Sequence, residues 1–226
     1  SAGQIDRRTH INKDGLESFM FAHDNLQARN LTLFAEDLIR LTSKLNFVAD
    51  AHLVYNERNS SDRFPQPDLR PWYSHMSKKY RYFRSQSTTL NQHFAAFNPR
   101  IGLIYSPFKG EDVQLFGNLS RSYEPPTFDE LVGTEVTTNI NTSPKRLYAI
   151  ALDKQTATTL ELGSKGRTTR FSWNVAAYRS WVHNEILEVK DYVRGIKRTE
   201  NYPTTLHQGV EVGLNAVVAD NPWGIN

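Results

Sequence analysis

The chain has 226 residues, 38% of them apolar and 12% aromatic, and carries a formal net charge of +3 with no cysteine. That composition excludes a disulfide framework, a thiolate metal centre and a membrane-crossing helix, which needs about 18 consecutive apolar residues. The apolar fraction is low for filling a thick interior, and the length allows one large all-β unit or two ordinary domains.

In chain order, a noisy alternation of apolar and polar residues over 31–41 is followed by a clear one, in which Phe47, Ala49, Ala51, Leu53 and Tyr55 alternate with Val48, Asp50, His52, Val54 and Asn56. This is the period of a strand lying between two different solvents. A short strand is expected over 101–105. Val113, Leu115, Gly117 and Leu119 then share one face, with Gln114, Asn118, Ser120 and Ser122 on the other. Pro125 and Pro126 end that ladder, since neither can donate a backbone hydrogen bond. Further alternations run over 158–163, from Phe171 through Trp173 and Val175 to Trp181, and from Val210 through Val212 and Leu214 to Val218. Roughly seven strands are predicted in all.

The connections take turns in length. Residues 41–46, 107–112 and 166–169 are short and turn-like, whereas 59–93, 124–157 and 190–204 are long. An outer-membrane barrel has this asymmetry, with short periplasmic turns and long extracellular loops, a polar lumen and a thin apolar outer band. The expected fold is therefore an antiparallel transmembrane β-barrel section. Within hydrocarbon, strands survive only in a closed barrel, so a section of about seven strands implies neighbouring strands in the native protein.

Four blocks, Phe97–Tyr105, Ser120–Phe128, Thr158–Gly163 and Tyr178–Leu187, with a weaker fifth at His207–Leu214, resemble the barrel of TonB-dependent outer-membrane receptors. The resemblance covers about residues 31–219. It implies a bacterial outer-membrane location and a barrel of about twenty-two strands. It also implies an N-terminal plug, and a short segment pulled by the TonB–ExbB–ExbD complex to release a bound metal chelate. Neither a plug-like stretch nor a TonB-contacting segment is found here, and the start at Ser1-Ala2-Gly3-Gln4 lacks a signal region. The whole of 1–226 is accordingly expected to be a barrel fragment without its plug.

The loop over 60–93 interleaves Arg63, Arg70, Lys78, Lys79, Arg81 and Arg84 with Phe64, Trp72, Tyr73, Tyr80, Tyr82 and Phe83. Cations and rings together suit an anionic chelate with flat aromatic groups, such as a ferric siderophore. The candidate ligand-binding residues are Trp72, Tyr73, Arg81, Tyr82 and Arg84, with Tyr123 and Phe128 from the corner after the fourth alternation. Read more plainly, such loops contact lipopolysaccharide phosphates or stay solvated. Single-stranded nucleic acid would use the same residue types, but no nucleic-acid fold motif is present.

His75, Met76 and His93 match no metal-ligand spacing, and no cofactor is expected. His183 and His207 are expected to hydrogen-bond within the wall. Glu124, Glu161, Glu185 and Glu211 are expected to form lumenal ion pairs with Arg100, Arg121, Arg167 and Arg179. No nucleophile elbow, phosphate loop or zinc motif appears, so the chain is read as no enzyme. Trp173, Trp181, Phe171 and Tyr55 are placed on the lipid-facing band. A soluble glycan-binding β-sandwich and an outer-membrane barrel hydrolase are the alternatives.

Overall fold

A computed structural model describes all residues except 14, 75–76, 109–111, 137–144, 192–195 and 218–226. The described residues form strands and turns with no helix. The strands are β1 (Ala2–Lys13), β2 (Leu16–Arg40), β3 (Leu45–Asp62), β4 (Leu69–Ser74), β5 (Lys79–Arg84), β6 (Leu90–Tyr105), β7 (Val113–Glu124), β8 (Val132–Val136), β9 (Lys145–Ala149), β10 (Gln155–Arg167), β11 (Phe171–Asp191) and β12 (Ile196–Ala216). Ten of them make one antiparallel sheet in the order β1-β2-β3-β6-β7-β10-β11-β12-β8-β9, while β4 and β5 pair separately. The large sheet does not close on itself.

Register makes the sheet two-faced. One row of paired residues, Ile39, Phe47, Leu103, Gly117, Leu162, Ala177 and Val210, runs across seven strands on one face. The next row, Leu38, Val48, Gly102, Asn118, Glu161, Tyr178 and Gly209, lies on the other face and is more polar. The apolar face stays open to its surroundings: Leu33, Leu53, Leu162 and Val212 are exposed on it. No second sheet covers it among the described residues, which removes the β-sandwich alternative. Phe171, Trp173, Trp181 and Tyr55 stand on this outer face, as expected.

Two of the tight turns at one end use the same device. In the first, Thr42 Oγ1 accepts from the backbone of Lys44 and Leu45 at 3.2 and 3.0 Å. In the second, Thr168 Oγ1 accepts from Phe171 N at 3.1 Å. A threonine hydroxyl caps the turn in place of a backbone carbonyl.

Small residues let rings lie flat across the ladder. A Cβ on Gly163 would meet Phe116 Cζ at 2.3 Å and the Val175 carbonyl at 2.6 Å, and one on Gly166 would meet the Trp173 ring at 2.4 Å. Each ring sits on the glycine paired with it, the aromatic rescue of a strand glycine. Gly163→Ala is therefore expected to destabilise the wall by about 1–3 kcal/mol, read as a lower unfolding midpoint of the full receptor in detergent.

Far more is strand than the alternation predicts. β1 and the first half of β2 precede the first predicted strand, β3 continues to Asp62, and the connection expected over 190–204 is mostly β11 and β12. Two prolines interrupt these ladders. The β6–β7 pairing runs only from Tyr105↔Leu115 to Arg100↔Ser120 and stops before Pro99. Higher on β11, Asn184 adopts a left-handed conformation with φ 54°. It lies opposite Pro203, between the pairs His183↔Thr204 and Glu185↔Tyr202. Pro203 cannot donate to the Asn184 carbonyl, which instead accepts from Asn201 Nδ2 at 2.9 Å.

Candidate ligand vestibule in the long loops

The long connections gather at the end of the wall opposite the tight turns. β4 and β5 form a hairpin over the top of β1 and β2, because Tyr80 presses edge-on against Phe19 with ring centroids 4.8 Å apart. The Tyr80 hydroxyl lies 2.5 Å from Ser18 Oγ. Tyr73, paired with Tyr80, is 2% exposed, with Lys13 Nζ 5.4 Å from its ring centre. Tyr73 thus anchors the hairpin, whereas Tyr82 at 65% exposure, Arg81 and Arg84 face outward. Trp72 is partly buried and lies directly across from Arg81. Register puts Trp72 and Arg81 on one face of the hairpin and Tyr82 and Arg84 on the other, so cations and rings are presented on both sides of its surface.

Beneath that surface lies a buried charge network. Arg70, 0% exposed, donates from Nη2 to Asp62 Oδ2 and from Nη1 to the Phe21 carbonyl at 2.9 Å. Asp62 also accepts from Thr88 N at 3.0 Å and Phe64 N at 3.1 Å. Thr88 Oγ1 donates to buried Asp24 at 2.5 Å. Arg7 lies 3.5 Å from Asp24 and donates to Asp129 at 2.7 Å. These contacts join the β1–β2 hairpin, the β4–β5 loop and the 125–130 turn, so the loops form one layer. β9 joins it through Ser85, whose hydroxyl donates to the Leu147 carbonyl at 2.9 Å, and β8 pairs with the upper end of β12.

Tyr123 and Phe128 stand apart from the hairpin. Phe128 is partly buried in the turn beside Asp129. Tyr123 donates its hydroxyl to Asn56 Oδ1 on β3, across β6, and burial pushes its pKa up to about 12. It stays a protonated donor at neutral pH. Lys154 Nζ lies 5.8 Å from its ring centre.

Among the described residues, no ion pair of the expected glutamate–arginine ladder is found. Arg100 is 3.6 Å from Asp50 and Glu161 accepts from Asn118 at 2.8 Å. Arg121 and Arg179 stand on the outer face, in register with Thr158 and Leu160, and Arg179 lies 5.3 Å from the Trp181 ring centre. Glu185 reaches Thr205 and, at 3.2 Å, His207. The Thr205 hydroxyl and then His207 hold its carboxyl below the usual range. His183 Nδ1 is 3.3 Å from Thr204 Oγ1, so both histidines do bond within the wall. His93 is exposed on β6 rather than in a loop, and His75 and Met76 lie outside the described residues. No cluster of three metal-ligating side chains occurs among the described residues.

A single open antiparallel sheet with one apolar face, tight turns at one end and layered loops at the other defines a section of an outer-membrane barrel. The chain matches the family model for the TonB dependent receptor-like β-barrel over residues 6–226 and belongs to that family. Its members are bacterial outer-membrane transport receptors rather than enzymes, and the chain is an outer-membrane protein. Similar solved structures include the copper transporter OprC, 11% identical with a TM-score of 0.59 over 89% of this chain and 29% of that one. The siderophore receptor PirA from Pseudomonas aeruginosa is 14% identical, with a TM-score of 0.53 over 88% of this chain and 41% of that one. The hemophore receptor HasR of Serratia marcescens is 12% identical, with a TM-score of 0.51 and the same two coverages, 88% and 41%. The chain thus spans under half the length of each. No curated protein matches its sequence.

Proposed function

We propose that residues 1–226 are part of the wall and loop layer of a receptor that takes up a metal chelate, most fittingly a ferric siderophore, by TonB-dependent transport. The observation that carries this reading is the exposure of Arg81, Tyr82 and Arg84 on a hairpin anchored over the long-loop end of the wall. Guanidinium groups and rings attract an anionic, aromatic chelate from solution. Tyr123 and Phe128, apart from the hairpin, are the further candidate contacts, and Tyr73 contributes as the buried anchor. Binding would be followed by plug rearrangement and release driven by the TonB–ExbB–ExbD complex, acting through a region outside this chain. No covalent chemistry on the ligand is needed. The outer rim would meet membrane lipid and lipopolysaccharide, and nucleic acid is no partner.

In the intact receptor, the double substitution Arg81→Ala with Arg84→Ala is expected to weaken binding of an anionic ferric chelate by about three- to tenfold, since exposed charges each contribute up to about 1 kcal/mol. The loss should shrink with added salt. Unchanged affinity would remove the β4–β5 hairpin from the binding site.

A further inference from the structure

The β6–β7 ladder ends in the middle of a strand that continues. Ser106 N donates to Lys44 O at 2.8 Å, so even-numbered residues of β6 bond toward β3 and odd-numbered ones toward β7. Likewise Arg167 N donates to Asp112 O at 2.8 Å, which turns the odd-numbered residues of β7 toward β6. The pair after Ile101↔Leu119 would join Pro99 to Arg121. Proline has no N–H to give, and the ladder stops there. Above it, β6 remains paired with β3 up to Leu90, and β7 with β10 up to Glu124, but the edges of β6 and β7 that face each other are not laddered.

The resulting seam is bounded below by the Arg100↔Ser120 pair and above by Gln92 Nε2, which donates to the Leu152 carbonyl at 3.4 Å. Lys154 enters it and donates Nζ to the Ala95 carbonyl, on the free edge of β6. Tyr123, in line with Leu119 and Arg121 on β7, spans it to Asn56 on β3. On β6 itself, Asn98 Oδ1 and Gln92 Oε1 are buried without a partner, a sign of a polar rather than a dry gap.

We propose that this seam is a gated window in the receptor wall, with Lys154 as its latch and Tyr123 as a strap across it. Continued register would bring Pro125 opposite Ala95, and since proline has no N–H to give, the ammonium group supplies the only donor found for that carbonyl among the described residues. When it withdraws, the upper edge of β6 is free to part from β7, and the vestibule widens sideways. The proposal does not depend on which ligand the receptor takes.

Hydrogen–deuterium exchange on the full-length receptor in detergent tests it. The seam-facing amides of residues 93, 95, 97, 121 and 123 are expected to exchange at least about tenfold faster than the odd-numbered ones of 101–105 and 115–119. Lys154→Met keeps the stem and removes the charge, and it should raise exchange at 93–97 by a further several-fold while 101–105 is unchanged. Lys154→Arg should restore the native rate. Pro99→Ala, which supplies the missing donor, should slow exchange at Arg121 by about tenfold as the ladder gains a pair. Exchange at 93–97 as slow as at 101–105 would overturn the window, and no effect of Lys154→Met would overturn the latch.

Discussion

Asp62→Ala is expected to open the extracellular loop layer at a cost of about 3–5 kcal/mol, because it leaves the Arg70 guanidinium buried without its counter-ion. The two side chains are 0% and 1% exposed, so water cannot take over the lost contact without unpacking the layer. Asp62 also holds Thr88 N and Phe64 N, and these donors would be orphaned in the same step. The wall beneath has its own ladder and should persist. Limited proteolysis of the full receptor should therefore show new cleavage within 62–88 while the heat-modifiable barrel band remains. Asp62→Ala combined with Arg70→Met removes the stranded charge and should recover much of the loss. Proteolysis of Asp62→Ala at the native rate would show that the pair is solvated in the receptor.

Val212→Arg is expected to destabilise the receptor in lipid by about 2–4 kcal/mol, the cost of a cation on the lipid face near the bilayer midplane. Val212 stands in the outward row between Val210 and Leu214 and is 62% exposed to whatever surrounds the wall. Glu211, one residue earlier, points to the opposite face, where Glu211→Gln should change stability by under about 0.5 kcal/mol. Equilibrium unfolding from liposomes reads both. Equal losses at the two positions would mean that the faces are assigned the wrong way round.

The lower half of the wall was legible because lipid on one side and a polar lumen on the other force strict alternation. Phe171 to Trp181 and Val210 to Leu214 declare their faces residue by residue. β1 was not legible: Gln4, Asp6, Arg7, Arg8 and Thr9 are polar on both faces, as a strand above the membrane with water on both sides can be. For the same reason the upper parts of β11 and β12 read as loop. Arg121 and Arg179 show a different failure. Their parity with Leu119 and Trp181 already placed them outside, but their charge suggested glutamate partners, and the structure follows parity.

The loop network was invisible for another reason. Asp62 is one of two acids among many cations in 60–93, and nothing local marks it as the residue on which Phe64, Arg70 and Thr88 converge. The candidate residues Trp72, Arg81, Tyr82 and Arg84 do fall on one hairpin, but strand alternation, which a loop reading does not supply, puts Trp72 and Arg81 on one face and Tyr82 and Arg84 on the other. Tyr73 could not be told from its neighbours until its packing against Lys13 and Tyr80 was seen.

Pro203 and Asn184 mark a natural cut across β11 and β12. Below them the hairpin must obey the bilayer; above them the backbone pairing resumes at Glu185↔Tyr202 in the same register, across one interrupted rung. The segment 185–202 can thus be exchanged as a cassette, lengthened or recoded, while the spanning strands keep their alignment. A receptor built this way can change what its mouth presents to the outside without redesigning the part that must fold in lipid.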